Sequence, residues 1–264
     1  MINAKSISAD LSALRANNPL VHNITNFVVM NNTANALLAI GASPVMAHAV
    51  EEVVDMVAIA SALVINMGTL NPQWAEGMIQ AGIAATSKGI PVVFDPVGVG
   101  ATPFRNQVAS QIIDKCKPTL IRGNASEIMA LAKENVATKG VDSTVLANAA
   151  LDSAKNLARE TGAIVVISGA EDFITDGEHV ISIKNGSPMM PKVTGMGCTA
   201  TALLGAFAAV NKNTLIAAAH GMAVMSICGE IAAKKSFGPG SLQMHFIDTL
   251  YNLTDKDIAG VFVA

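Results

Sequence analysis

The sequence predicts an α/β domain in which a mostly parallel sheet is covered by helices on both faces. Two observations carry this reading. Short apolar runs bounded by turn residues alternate with helix-length segments along most of the chain, and the apolar content is largely Ala, Val, Ile, Met and Leu. Alternation of this kind builds parallel strands joined by crossover helices. Strands buried on both faces, with helices packed tightly over them, need that apolar set.

The elements follow in order. Leu20–Ile24 is expected as a strand, followed by a helix over Phe27–Ile40. Ser43–Ala47 is a second extended run, and Glu51–Ser61 is helical. Ala62–Met67 and Pro91–Asp95 have the length of central strands, with a helix from about Trp74 to Lys88 between them. Thr119–Arg122 and Ala163–Ser168 continue the alternation, accompanied by helices at about Ser126–Lys133 and Thr144–Glu160. Asp172–Lys184 reads as a hairpin turning at Asp176-Gly177, so the sheet is expected to end antiparallel. Cys198–Lys235 is nearly all helix, interrupted at Asn211–Asn213, and Gly238-Pro239-Gly240 breaks the chain before a final helix. No repeat, low-complexity segment or linker divides the sequence, and residues 1–264 are expected to form one domain.

Composition narrows the function classes. A mean hydropathy of +0.45 raises the question of a membrane span. The longest apolar stretches, Val53–Ile65 and Leu215–Cys228, are cut by Asp55 and His220, short of the roughly 18 uninterrupted residues a spanning helix needs. Met1–Ala16 has neither a basic n-region nor an apolar h-region, so a cytoplasmic chain without a membrane partner is expected. Cys116, Cys198 and Cys228 are odd in number and lack metal-type spacing, which argues against a disulfide framework or a zinc site. A net charge of -3 without a basic cluster argues against nucleic acid. Small molecules are the expected ligands.

Ligands of open α/β sheets bind beyond the carboxyl ends of the strands, and four polar clusters follow apolar runs: Asn23-Ile24-Thr25-Asn26, Asp95-Pro96-Val97-Gly98-Val99-Gly100, Arg122-Gly123-Asn124-Ala125-Ser126-Glu127 and Thr194-Gly195-Met196-Gly197-Cys198. In the last, two glycines allow close backbone approach, and a long helix is expected to start at or just after Cys198, so free N–H groups and the helix dipole favour an anion there. Taken alone, it reads rather as an ordinary glycine turn before a helix, and the anion site gains weight only from the other clusters. Asp95, directly after a buried strand, either binds a cation, a donor or a substrate proton, or caps the following turn. Arg122 and Glu127 either form an ion pair or hold nucleotide phosphates and the shell of a magnesium ion. Cys198 is either a thiol with a pKa lowered by the helix N-terminus, able to assist deprotonation of a substrate hydroxyl, or a small buried residue chosen for fit. His22, His220 and His245 read as structural, and Met46 as core or pocket lining. No P-loop and no complete G-x-G-x-x-G after a strand is present.

Taken together, the clusters resemble a known family. Pro19-Leu20-Val21-His22-Asn23-Ile24-Thr25-Asn26, Ala39-Ile40-Gly41-Ala42-Ser43-Pro44-Val45-Met46, the Asp95 and Arg122 clusters, Val193-Thr194-Gly195-Met196-Gly197-Cys198 and Gly238-Pro239-Gly240-Ser241 are similar, in order and over nearly the whole chain, to the motifs of hydroxyethylthiazole kinases. The resemblance implies a ribokinase-like three-layer α/β/α fold and transfer of the ATP γ-phosphate to the primary alcohol of 4-methyl-5-(2-hydroxyethyl)thiazole, in thiamine biosynthesis or salvage. It implies an anion hole at Gly195 and Gly197, with Cys198 standing where most ribokinase-like enzymes place a catalytic Asp. It also implies nucleotide contacts from Arg122, Ser168 and Thr194, Mg²⁺ organised by Asp95 with Glu127, and a thiazole pocket of Met46 and Asn23 with the Gly195 backbone near the hydroxyl. A homotrimer with active sites between subunits is implied as well. Met196 departs from the family pattern, which commonly has Thr or Ser between the two glycines. Two readings from other classes compete: a nucleotide-dependent dehydratase of hydrated NAD(P)H, and a non-catalytic thiazole-binding protein. A kinase of the pyrimidine half of thiamine competes within the same class.

Overall fold

The computed structural model describes residues 2–132 and 143–263. Among them the chain runs α1 (Ala4–Asn17), β1 (Leu20–Ile24), α2 (Met30–Ile40), β2 (Ser43–Val45), α3 (Val53–Ile59), β3 (Ala62–Asn66), α4 (Pro72–Lys88), β4 (Val92–Asp95), α5 (Pro103–Cys116), β5 (Leu120–Asn124) and α6 (Ala125–Leu131). It continues with α7 (Ser143–Thr161), β6 (Ile164–Ser168), β7 (Asp172–Thr175), β8 (Val180–Ile183), α8 (Met196–Val210), α9 (Thr214–Lys234), α10 (Pro239–Asn252) and α11 (Asp255–Val261). The expected helix end at Lys133 lies outside the described residues.

The strands form one sheet in the order β2-β1-β3-β4-β5-β6-β7-β8. Neighbours from β2 to β6 are parallel, and β7 and β8 close the edge antiparallel through the expected hairpin. Two apolar cores flank it. Residues of α1, α2 and α8–α11 fill one, and residues of α3–α7 fill the other. The order reverses between β1 and β3, the kind of switch point at which open sheets leave a crevice beyond the strand ends.

Local chemistry sets the helix ends. Asn71 accepts a bond from Trp74 N, Pro72 opens the first turn, and Gly89 at φ +79° closes α4. The helix α9 is long and apolar enough to cross a membrane, yet 78% of its most apolar window is buried inside the molecule. It is the apolar centre of one helical layer, as a helix hydrophobic on all sides must be.

Some boundaries differ from the expectation. Phe27–Val29 form a turn, with Val29 N bonded to Asn26 O, so α2 begins only at Met30. The helix α8 begins at Met196, which puts Cys198 inside its first turn. Two helices, not one, follow Gly238. Neither α1 nor α5 stands out by hydropathy. Both are amphipathic, with stripes as thin as Ile7, Leu11 and Leu14, and both have capped N-termini, Asn3 with Ser6 and Thr102 with Pro103.

Candidate active site

Strand periodicity delivers the polar side chains. Val64, Val93, Leu120 and Val166 belong to the core under α8. Two residues further along each strand, where the same face returns, stand Asn66, Asp95, Arg122 and Ser168. They gather at the carboxyl edge, opposite the first turn of α8.

Asp95 is fully buried. Its Oδ2 accepts from Asn66 Nδ2 at 2.9 Å and Thr201 Oγ1 at 2.8 Å, and lies 3.7 Å from Arg122 Nη1. Its Oδ1 has no partner among the described residues. Burial pushes its pKa up to about 6, against the pull of Arg122, Thr201 and Asn66. The Nη2 of Arg122 donates to Ser168 Oγ, whose other neighbour is Gly123 O at 3.4 Å.

The N-cap of α8 is Gly195 at φ +84°, and a Cβ there would stand 2.8 Å from Val29 Cγ1. A Cβ on Gly197 would stand 2.6 Å from Arg122 Nη1. Both positions therefore need glycine, the first for conformation and the second so that the guanidinium can lie against the helix turn. No side chain caps α8. Its first N–H groups and the positive end of its dipole form an anion cradle, with Arg122 alongside. Thr194 is exposed just before it, while Met196 turns into the core.

Of the two readings of Cys198, its surroundings oppose the one with a lowered pKa. Burial, then the nearby Asp95 carboxylate, push the thiol up to about 11, against the pull of Asn66, Asn26 and Arg122. Its Sγ accepts from Asn26 Nδ2 at 3.5 Å, and the same Nδ2 donates to Asn66 Oδ1 at 2.8 Å. A chain of hydrogen bonds thus joins Asp95, Asn66, Asn26 and Cys198. Cys116 and Cys228 are buried away from it, in the two cores.

Glu127 does not pair with Arg122. Its Oε2 accepts from Asn124 N at 2.9 Å in a capping box, and its Oε1 accepts from Gly98 N at 3.0 Å. It still acts on Asp95 through charge. Among the described residues no three His, Cys, Asp or Glu side chains form a metal cluster. Mg²⁺ needs no such cluster, because it keeps several waters and takes one or two carboxylates plus substrate phosphates. The unpartnered Oδ1 of Asp95 and the neighbouring Glu127 fit an ion held in that way.

At the opposite side of the switch point, Asn23 is fully buried on β1, with Nδ2 donating to Val21 O at 2.8 Å and Oδ1 without a partner among the described residues. Met46 is half-buried just past β2. His22 is the structural residue expected: its Nε2 lies 2.7 Å from Ala47 O and holds the loop carrying Met46, and burial lowers its pKa. His220 bridges Asp10 and Ser6 between helices.

Three site residues escape the sequence reading: Asn26 as a sulfur donor, Asn66 and Thr201. Asn66 had the same signal as Asp95, a polar residue closing an apolar run. Nothing in the sequence marks Thr201, which reaches Asp95 from the second turn of α8.

The model of the hydroxyethylthiazole kinase family matches residues 11–256. The chain belongs to the hydroxyethylthiazole kinase family. A hydroxyethylthiazole kinase of Syntrophus aciditrophicus is 56% identical over 252 residues, covering 95% of this chain and 93% of that one. The solved structure of the hydroxyethylthiazole kinase protein from Pyrococcus horikoshii OT3 superposes with a TM-score of 0.91 at 41% identity, covering 98% of each chain. The pyridoxal kinase of Staphylococcus aureus, solved with AMP-PCP and pyridoxal, shares the fold alone, with a TM-score of 0.62 at 15% identity over 80% of this chain and 88% of that one. The expected ribokinase-like α/β/α fold is therefore the one observed. Within the hydroxyethylthiazole kinase family this chain carries Met196 between its two glycines, and the α8 backbone cradle does not depend on that side chain.

Proposed function

We propose that this protein transfers the γ-phosphoryl group of ATP to the primary hydroxyl of 4-methyl-5-(2-hydroxyethyl)thiazole, giving the phosphate ester and ADP, in thiamine biosynthesis or salvage. The observation that carries the reading is more than 50% identity to hydroxyethylthiazole kinases over nearly the whole chain. It sets the dehydratase and the non-catalytic binding protein aside. In the reaction the substrate oxygen bonds to the γ-phosphorus, the bond to the β-phosphate oxygen breaks, and the hydroxyl proton is released.

The residues take the following roles in this reading, which the geometry of the strand ends and of the α8 N-terminus supports. The N–H groups of Gly197 and Cys198 receive the transferring phosphoryl oxygens, where charge is spread over three equatorial positions. Arg122 meets the phosphates from the side, and Ser168 and Thr194 contact the nucleotide. Asp95 and Glu127 would hold Mg²⁺, which when bound would supply positive charge to the phosphates. Met46 and the Gly195 backbone face the thiazole alcohol, with Asn23 supporting the pocket from beneath. Cys198 serves as a neutral wall of the cradle and not as a thiolate base. A loose transition state depends on position and charge more than on a strong base.

Phe27 and Val28, 63% and 61% exposed beside Asn26, supply the apolar rim that a neighbouring subunit would cover. A subunit contact there is compatible with the homotrimer with sites between subunits that the family resemblance implies.

The deciding assay is ADP release with Mg²⁺ and ATP, comparing hydroxyethylthiazole, hydroxymethylpyrimidine and no acceptor, with the product mass checked. Release with the thiazole and a product heavier by one phosphoryl group is the expected result. Release with the pyrimidine instead, or with no acceptor, refutes it.

A further inference from the structure

Arg105 stands on the first turn of α5, outside every motif discussed above. None of the ion pairs among the described residues includes it. Its guanidinium is spent on main-chain carbonyls: Nη1 donates to Met67 O at 2.5 Å and Val97 O at 2.6 Å, and Nη2 donates to Gly68 O at 2.7 Å. These carbonyls belong to two separate loops, one after β3 and one after β4. Lys88 also gathers three carbonyls, those of Val57, Ala58 and Ala60, but all at the end of one helix. Only the planar fork of an arginine presents paired donors in a fixed geometry that can hold two loops in register.

Both loops connect to the acids, which stand at the end of β4 and in the first turn of α6. In the first, Gly68 N donates to Asn66 Oδ1 at 2.9 Å, and Asn66 Nδ2 donates to Asp95. In the second, Gly98 N donates to Glu127 Oε1. Gly98 has φ +74°, and a Cβ there would stand 3.4 Å from the Arg105 guanidinium. One peptide group therefore separates the arginine from Glu127, and a peptide group followed by the Asn66 side chain separates it from Asp95. We propose that Arg105 is a positioning residue for phosphoryl transfer, a strap across the β3 and β4 loops that fixes the orientation of Asp95 and Glu127. The proposal rests on the kinase reading and goes beyond it by assigning a residue that touches neither substrate.

The test compares Arg105→Met and Arg105→Lys with the unaltered chain in the ADP-release assay. Amide hydrogen exchange is followed in parallel in peptides covering residues 66–70 and 96–101. Misplacing a catalytic group by a fraction of its own size costs about 10- to 100-fold in rate. The Met variant is expected to lose kcat on that scale while its KM for the thiazole alcohol stays within about twofold, because binding of the alcohol does not use the acids. Exchange accelerates in the two loops and not in α9. The Lys variant, keeping the charge and some of the bonds, falls between. A folded variant of either kind with unaltered kcat overturns the proposal, as does unchanged exchange in both loops or a loss confined to KM. Should the Met variant fail to fold, the Lys variant carries the same readouts. Turnover by the unaltered chain tests the kinase reading separately, so the two fail distinguishably.

Discussion

The Nη1 of Arg122 lies 3.7 Å from the Oδ2 of Asp95, in a pair whose side chains are 10% and 0% exposed. Each charge is tolerated because the other is there. Removing one partner of a buried pair typically costs about 3–5 kcal/mol, since the remaining charge is left uncompensated. Asp95→Ala and Arg122→Ala are therefore expected to lose more kcat/KM than Cys198→Ala, which removes a neutral thiol and keeps the backbone cradle. Steady-state kinetics beside thermal unfolding of each variant checks the order. Cys198→Ala as the only inactive variant would refute the assigned roles.

The two glycines of the cradle are expected to fail differently. Gly195→Ala forces a left-handed residue, costing roughly 1–2 kcal/mol, and drives its methyl into Val29, so it lowers stability and activity together. Gly197→Ala meets only the far end of the Arg122 side chain, whose guanidinium can shift slightly without leaving Asp95. Its unfolding temperature stays close to that of the unaltered protein while kcat falls. Equal losses of stability in the two variants would contradict this.

Burial pushes the carboxyls of Asp95 and Asp172 up to about 6. Between the ordinary value of 3.8 and 6 the folded protein holds protons that the unfolded chain has lost, so their favourable contribution is present at low pH and is lost as pH rises through that window. Asp172→Asn keeps an oxygen for Gly169 N, and Ser226 can turn its hydroxyl to accept from the new amide. This variant is expected to gain on the order of 1–3 kcal/mol at pH 7.5 and nothing by pH 4. Thermal unfolding at both pH values checks it. In the unaltered enzyme kcat/KM, which reports the free protein, is expected to fall on the acid side of pH 6 as Asp95 takes up its proton.

The exposed Phe27 and Val28 lead to a prediction about assembly. Sedimentation equilibrium is expected to give three times the chain mass. Replacing both residues by Ser is expected to shift the mass toward the single chain and to weaken thiazole binding. A chain that is monomeric and fully active would overturn the intersubunit site.

Much of the site was legible as polar residues standing one step past apolar runs, and Asp95 and Arg122 were found that way. Asn66 satisfied the same rule and was passed over, because an asparagine closing a strand is common where a buried carboxylate is costly. Thr201 left no trace, and Asn26 stood in a polar cluster with nothing to indicate its bond to Cys198, since the partners lie 106 and 172 residues away in sequence. Of the two readings open for Cys198, the surroundings favour the small buried residue, since burial and Asp95 raise the thiol pKa and neither is visible in the neighbouring sequence.

The sequence by itself determined the alternation of strands and helices, the antiparallel edge, the two glycines before a long helix and the family. These are local or periodic properties, written in neighbouring residues. Tertiary structure alone decided which face of the sheet the polar residues share, that Arg122 pairs with Asp95 and not Glu127, and that Arg105 spans two loops. Those outcomes depend on strand order and on distances between segments remote in the chain, and hydrogen-bond partners across such distances are chosen by packing.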